Sequence, residues 1–226
     1  MTRSRQIPPA RRNLTLLSVA ILAVSGLAVA DTGDLPIDVR KFQLVKSESG
    51  PINYYTVQEE PGATFLHSAY HPPLKTAVMG FQFPDDYRQG AHKLRWRWRA
   101  MKSPVGGNEC VDGKGDSAAV VYVTWKSGWR WYSLKYVWSP AAPKGAVCDR
   151  KRNPFLAQDT IVLQSGPGTG GWVTEQLDPT AEFRKHFRDG DPTADVPDMA
   201  GIAIMSDGDQ TNSESWADFA DFVIGR

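Results

Sequence analysis

Three observations predict an all-β protein, an antiparallel β-sandwich or jelly roll with one short helix. Residues 94–100, LRWRWRA, alternate apolar and basic side chains, the period of a strand with one buried face. Residues 117–125 and 129–139 are rich in Val, Tyr and Trp, and the glycine between them, Gly128, is typical of a hairpin. Short apolar runs bounded by Gly and Pro fill most of the remaining chain, so about ten strands are expected.

The N-terminus has the pattern of a secretory signal peptide. Four arginines precede an apolar run, residues 14–30, that ends in small residues. We expect residues 1–30 to be removed and residues 31–226 to form a single β-sandwich domain in the periplasm or outside the cell. An uncleaved membrane anchor is the alternative, but the run is short for a span and contains Ser18, Ser25 and Gly26. No stable membrane span is expected after cleavage.

The remaining elements follow in order. Residues 31–38 form a polar start, and the expected strands are 42–46, 53–59, 63–70, 75–83, 94–100, 117–125, 129–139, 161–164, 171–177, 199–205 and 215–224. Residues 103–115 and 140–154 are predicted as long loops, the second basic around Arg150, Lys151 and Arg152.

One helix is predicted after the strand at 171–177. Asp178 can cap it, Pro179 suits the first helical position, and Gly190 ends it. Phe183 and Phe187 are four residues apart, so they share a helix face that is expected to cover one edge of a sheet.

The charge of the mature chain argues against nucleic acid as a partner. The whole chain has a formal charge of +1, and without the four arginines of residues 1–30 it has 22 basic and 25 acidic residues, a charge of −3. Phosphate binding needs an excess of clustered Lys and Arg.

The two cysteines, Cys110 and Cys148, are both predicted in loops. Export to an oxidising compartment favours a disulfide between them, with two free thiols as the alternative. The bond would stabilise the fold by roughly 2–4 kcal/mol and join two loops at one end of a sheet.

Several segments resemble the bacterial "domain of unknown function 3047" family of exported proteins. They are LRWRWRA at 94–100, GDSAAVVYV at 115–123, LKYVWS at 134–139, QSG at 164–166, GIAIMSDGDQTNSES at 201–215 and ADF at 220–222. The chain departs from the family pattern at Val120, where the family usually has Arg, at Lys135, where it has Asn, and in SDGDQTN, where it has TDTDN. The resemblance implies a jelly-roll sandwich similar to carbohydrate-binding modules and no defined activity.

A candidate ligand platform lies on the strand at 129–139. Trp129, Trp131, Ser133 and Lys135 fall on one face, opposite Tyr132, Leu134, Tyr136 and Trp138. Indole rings stack on the CH faces of sugars while polar groups bond the hydroxyls. The alternative is core or edge packing, as predicted for Trp96, Trp98 and Trp138.

Arg95, Arg97 and Arg99 form a cationic row that could bind an anionic glycan or simply be the solvated face of a strand. Candidate acidic partners in the sandwich are Asp116, Glu175 and Asp221. The predicted ligand-binding set is Trp129, Trp131, Lys135, Arg97 and Asp116.

The segment MSDGDQTNS places Asp207, Asp209 and Asn212 on one loop. Alternating oxygen donors suit Ca²⁺, so a structural calcium site is a candidate, and a polar turn is the alternative. No cofactor is otherwise expected.

No known catalytic signature occurs, so catalytic residues are unassigned. A glycosidase would need two convergent carboxylates among Asp116, Glu175, Asp207, Asp209 and Asp221. A polysaccharide lyase would need a base such as Tyr132, Tyr136 or His92 beside Arg97.

The sequence therefore predicts an exported protein that binds a glycan or related polyhydroxylated ligand on one sheet face. The alternatives are a glycoside hydrolase or polysaccharide lyase using the same face, and a structural or partner-binding envelope protein.

Overall fold

A computed structural model describes residues 33–48 and 53–226. The predicted signal peptide, residues 1–30, lies outside these residues, so its cleavage and the domain boundary at residue 31 stay predictions. Among the described residues, no helix has the length and apolar character needed to cross a membrane.

The described chain is a β-sandwich of two sheets with one α-helix, as predicted. Its strands are β1 Asp34–Ile37, β2 Gln43–Ser47, β3 Tyr55–Glu60, β4 Ala63–Tyr70, β5 Ala77–Gln82, β6 Lys93–Lys102, β7 Ala119–Ser127, β8 Arg130–Ser139, β9 Val147–Arg152, β10 Leu156–Ser165, β11 Val173–Leu177, β12 Asp198–Met205 and β13 Ser215–Gly225. The helix is α1, Pro179–Phe187, and short 3-10 turns occur at Val39–Lys41 and Asp85–Tyr87.

The six-stranded sheet has the order β11-β6-β13-β4-β3, with β1 also paired to β13, and the seven-stranded sheet has the order β2-β5-β12-β7-β8-β10-β9. Neighbouring strands are antiparallel except β8 and β10, which are parallel. The predicted hairpin of β7 and β8 is present. However, β6 lies in the other sheet, because residues 103–118 carry the chain across the sandwich.

The core lies between the sheets and is built on indole rings. Trp96 and Trp98 of β6 are fully buried and their ring centroids are 5.7 Å apart. Across the sandwich, Trp96 contacts Tyr136 at 6.0 Å and Trp98 contacts Trp138 at 6.1 Å. The core positions that the alternation predicted are confirmed.

The helix begins and ends as predicted. Asp178 accepts a hydrogen bond from the Ala181 N–H at 3.0 Å, and Gly190 donates to the Arg184 carbonyl at 2.9 Å with a φ of +78°. Phe183 is fully buried, 5.2 Å from Trp125. The helix therefore covers β7 and β8, which are central strands and not the sheet edge that was expected.

Two predictions about irregular segments were wrong. The polar start contains β1, where Ile37 is buried and the backbone pairs with the end of β13. The loop predicted at 140–154 contains β9, an exposed edge strand paired to β10, and Cys148 lies on it. Both strands form through backbone hydrogen bonds to a neighbouring strand, and such bonds do not require an apolar sequence pattern. The predicted disulfide between Cys110 and Cys148 is present.

The burial of the helix aromatics predicts unequal costs of truncation. Phe183→Ala is expected to lower the free energy of unfolding by about 3–5 kcal/mol, because the cavity is enclosed. Phe187→Ala, at a partly exposed position, is expected to cost clearly less. Urea unfolding of both variants measures the difference, and equal losses would show that the helix does not seal this part of the core.

Candidate functional site

The outer face of the seven-stranded sheet carries two rows of side chains that cross its strands. The core takes Val121, Val123 and Ile202, so the alternate residues of β7 and β12 point outward. Strand pairing aligns one row as Gln158, Ser133, Thr124, Gly201 and Gln82, and the next as Thr160, Lys135, Tyr122, Ala203, Gly80 and Gln43.

Small residues open a groove in these rows. Gly80 of β5 and Gly201 and Ala203 of β12 lie side by side and form the floor of a groove of about 410 Å³. A Cβ on Gly201 would lie 2.2 Å from the Phe81 carbonyl oxygen, so only glycine allows this approach of the two strands. The groove therefore follows from the close pairing of β5 and β12.

The walls of the groove combine an aromatic ring with uncharged polar groups. Trp131 of β8, 41% exposed, stands on one side, and Val45 of β2 packs over Gly80 on the other. Gln43, Gln82 and Thr124 add amide and hydroxyl groups to the lining. The Thr124 hydroxyl donates to the Gly201 carbonyl at 3.1 Å, which leaves its lone pairs for a ligand.

Trp129 lies at the tip of the hairpin between β7 and β8 and is 90% exposed. It does not line the groove. The two tryptophans of the predicted platform therefore belong to different surfaces, one at the groove and one at the strand end.

Beside the groove, Lys135 is buried in an ionic cluster. Its Nζ donates to both carboxylate oxygens of Glu109, at 3.0 and 3.1 Å, and the Ser117 hydroxyl donates to Glu109 at 2.5 Å. Burial acts against the charge on Lys135, but Tyr122, Glu109 and Asp207 around it raise its pKa above the usual range. The pair fixes the loop at 103–118 against the sheet, and the disulfide at Cys110 holds the same loop to β9.

Burial shifts the pKa values of two further groups of this cluster upward. Burial raises the pKa of Asp207 to about 8, with Lys135 opposing the shift and Glu109 and Asp116 adding to it. Burial also raises the pKa of Tyr122 to about 12.

The candidate calcium ligands are brought together only in part. Oxygen atoms of Asp116, Asp207 and Asp209 lie within 4.8 Å of one another. Asn212, the third candidate ligand, is exposed. Asp116, which the sequence assigned to ligand binding, is fully buried and accepts hydrogen bonds from the Thr211 N–H at 2.7 Å and hydroxyl at 2.6 Å. Three carboxylates suit a hard cation such as Ca²⁺.

The arginine row lies on the outer face of the six-stranded sheet, away from the groove. Arg97 pairs with Asp221 at 2.5 Å, and Arg99 pairs with Asp218 at 2.6 Å and Glu60 at 3.1 Å. Both guanidinium groups stack on the Trp172 ring, at 5.1 and 4.3 Å. Of the three acids proposed as partners, Asp221 pairs with this row. The five predicted ligand-binding residues thus do not form one site.

The candidate lyase bases are dispersed as well. Tyr132 and Tyr136 face the core, and burial raises the pKa of Tyr136 well above its ordinary value. His92 pairs with Asp178 beside the helix, at 3.3 Å.

Two parts of the site escaped the sequence reasoning. Glu109 carried no local signal, because its partner Lys135 is 26 residues away. The groove floor could have been found from the small residues at alternate positions of 201–203, since a strand that exposes Gly and Ala leaves an open face.

Comparisons with solved structures give matches of low sequence identity. One is a family 11 carbohydrate-binding module from Clostridium thermocellum, in complex with a β-1,3-1,4-mixed-linked tetrasaccharide. It is 10% identical, the match covers 85% of this chain and 95% of that chain, and the TM-score is 0.46. Another is the xyloglucanase domain of NopAA, a type three effector from Sinorhizobium fredii, in complex with cellobiose. It is 9% identical, with 84% and 95% covered and a TM-score of 0.45.

A third match is a carbohydrate-binding module specific for non-crystalline cellulose, CBM28. It is 13% identical, with 82% of this chain and 84% of that chain covered and a TM-score of 0.35. No curated protein sequence matches the chain.

At the level of sequence families, one profile matches residues 44–223, and its description is "Protein of unknown function (DUF3047)". The match spans most of the chain and includes the segments in which the resemblance was seen. The chain belongs to the DUF3047 family.

Proposed function

We propose that the protein is exported and binds a neutral glycan in the groove on the outer face of the seven-stranded sheet. The observation that carries this proposal is the exposed Trp131 ring standing beside a floor of Gly80, Gly201 and Ala203. An indole beside a shallow apolar floor offers a stacking surface for the CH face of a pyranose ring.

The polar part of the groove suits sugar hydroxyl groups. The Gln43 and Gln82 side chains are exposed, and each amide offers two donors and an acceptor. Thr124 adds a hydroxyl between them and Trp131. A sugar hydroxyl both donates and accepts, so amide and hydroxyl groups can satisfy it without a charge.

The lining favours a neutral glycan over an anionic one. None of the groove-lining residues is charged. An anionic glycan would be expected to face guanidinium or ammonium groups. Arg97 and Arg99, however, lie on the other sheet, where acids of that sheet pair with them.

The same lining favours binding over cleavage. Glycoside hydrolysis needs two carboxylates on either side of the bond, and the groove lining has none. Asp116 and Asp207, which do converge, are buried with no room for a sugar between them. Burial raises the pKa of Tyr122, the tyrosine next to Ala203, to about 12, which makes it a poor base for a lyase.

Two features support export. The basic and apolar pattern of residues 1–30 predicts a signal peptide. The disulfide between Cys110 and Cys148 fits an oxidising compartment such as the periplasm or the outside of the cell. A partner-binding envelope protein is less favoured, because the groove has amide groups where a flat apolar interface would have none.

Truncation of Trp131 tests the proposal. Trp131→Ala is expected to weaken binding of a neutral polysaccharide about tenfold, because the stacking contact is lost. Ala203→Phe is expected to weaken it similarly by filling the groove. Affinity electrophoresis and calorimetry with mixed-linkage β-glucan, xyloglucan and acidic polygalacturonate would measure both.

Trp129→Ala is the matched control, since it removes a tryptophan outside the groove and should leave the affinity unchanged. Equal losses in the Trp129 and Trp131 variants, binding to polygalacturonate alone, or no binding to any of these polysaccharides would each overturn the proposal.

We also propose that the Asp116, Asp207 and Asp209 cluster holds a structural Ca²⁺. Calcium at about a hundredfold its dissociation constant should stabilise the fold by about 2.7 kcal/mol relative to chelator, which is several degrees in Tm. Asp207→Asn is expected to remove most of this gain, whereas Asp112→Asn, at an exposed acid outside the cluster, should retain it. A melting temperature that is the same with calcium and with chelator would rule the site out.

A further inference from the structure

Two hairpin tips project from the same end of the seven-stranded sheet. One joins β7 to β8 and the other joins β9 to β10. Because β8 and β10 are parallel neighbours, both strands begin at this end, and the Trp131 N–H donates to the Phe155 carbonyl at 2.8 Å. The two tips are therefore adjacent.

Each tip presents an exposed aromatic ring. Trp129 is 90% exposed on the first tip and Phe155 is 69% exposed on the second. The second tip is built to hold this position, since the Asn153 side chain accepts hydrogen bonds from the Phe155 and Leu156 N–H groups, at 2.9 and 2.8 Å. Large apolar rings displayed together on protruding turns are typical of a surface that meets an apolar phase.

The tips are also cationic. The first carries Lys126 and Arg130, the second carries Arg150, Lys151 and Arg152, and neither segment 125–131 nor segment 150–156 contains an acid. Lys151 pairs with Asp149 and Arg152 with Asp159. Lys126, Arg130 and Arg150 have no ion pair within the part of the chain that the structure describes, although Lys126 and Arg130 lie over the Trp131 and Tyr132 rings, at 5.1 and 5.2 Å.

We propose that these two hairpin tips dock the protein on an anionic lipid surface. Trp129 and Phe155 enter the headgroup region, where aromatic rings are favoured, and the surrounding cations pair with lipid phosphates. The Phe155 ring has no polar atom for a sugar hydroxyl, and two protruding tips do not offer the broad, shape-complementary area of a standard protein interface. A fluid bilayer interface needs no such shape complementarity.

This surface is distinct from the groove. The tips project from the ends of the strands, whereas the groove opens on the sheet face, and neither Trp129 nor Phe155 lines it. A membrane contact at the tips and a glycan in the groove can therefore be tested separately.

The test places an environment-sensitive NBD fluorophore on a single introduced cysteine, which is selective because both native cysteines are paired. Ser127→Cys reports on the first tip, and Ala141→Cys, exposed at the opposite end of β8, is the matched control. The full chain is used, since a local probe separates contact at the tips from any contact of residues 14–30. The vesicles are phosphatidylcholine alone or equal parts of phosphatidylcholine and phosphatidylglycerol.

The emission at position 127 is expected to shift to the blue with phosphatidylglycerol vesicles and not with phosphatidylcholine alone, while position 141 stays unchanged. Trp129→Ser with Phe155→Ser should weaken the vesicle binding that the probe at position 127 reports about tenfold or more. Arg150→Ala should weaken it about fivefold. Binding of neutral glycan should be unaffected by all three changes.

Three results would overturn the proposal. They are an unchanged emission at position 127 with phosphatidylglycerol vesicles, equal shifts at positions 127 and 141, and a shift with soluble polygalacturonate but not with vesicles, which would assign the tips to an acidic glycan.

Discussion

The fold depends on the contact of Trp96 and Trp98 of β6 with Tyr136 and Trp138 of β8. These rings join strands from different sheets and are buried at centroid distances of about 6 Å, so they hold the sandwich together by apolar burial. Because side chains alternate along a strand, the same contact decides what each outer face displays. The even-numbered residues of β8 fill the interior, so Trp131 and Lys135 lie on the outer face of the sheet.

For this reason, the outer face of the six-stranded sheet carries charged side chains, whereas the two rows on the seven-stranded sheet are almost uncharged. On the six-stranded sheet, Arg97 and Arg99 pair with acids of β13 and stack on Trp172, which satisfies their charges within the protein. On the seven-stranded sheet, the only charge among the two rows of side chains is Lys135, and Glu109 neutralises it. A buried pair of this kind adds little net stability, but removing one partner is costly. Its consequence here is that the loop at 103–118 is fixed against the sheet while the groove lining remains uncharged.

Local patterns were sufficient for much of the fold. The alternation in LRWRWRA and the Asp178, Pro179 and Gly190 signals predicted β6 and the helix, since each depends on neighbours in the chain. The assignment of β6 to the other sheet could not be predicted, because it depends on which of several apolar faces meet. Likewise, β1 and β9 form through backbone pairing with distant strands, which leaves no apolar period in their own sequence.

The candidate site shows the same division between local and distant information. The exposed position of Trp131 was predicted from its strand face, but the groove that it lines depends on Gly80, 51 positions earlier, which no local pattern connects to it. Asp116 joins Asp207 and Asp209 because β7 pairs with β12, so the loops at that end of both strands meet. Trp129 could not be separated from Trp131 by alternation alone, since both have the same parity. The difference lies in the turn: at Gly128, with a φ of +54°, the chain reverses, and the residue after it leaves the sheet. The parallel start of β10 then places Phe155 beside that turn, which makes the strand end, and not the sheet face, the surface where the exposed rings gather.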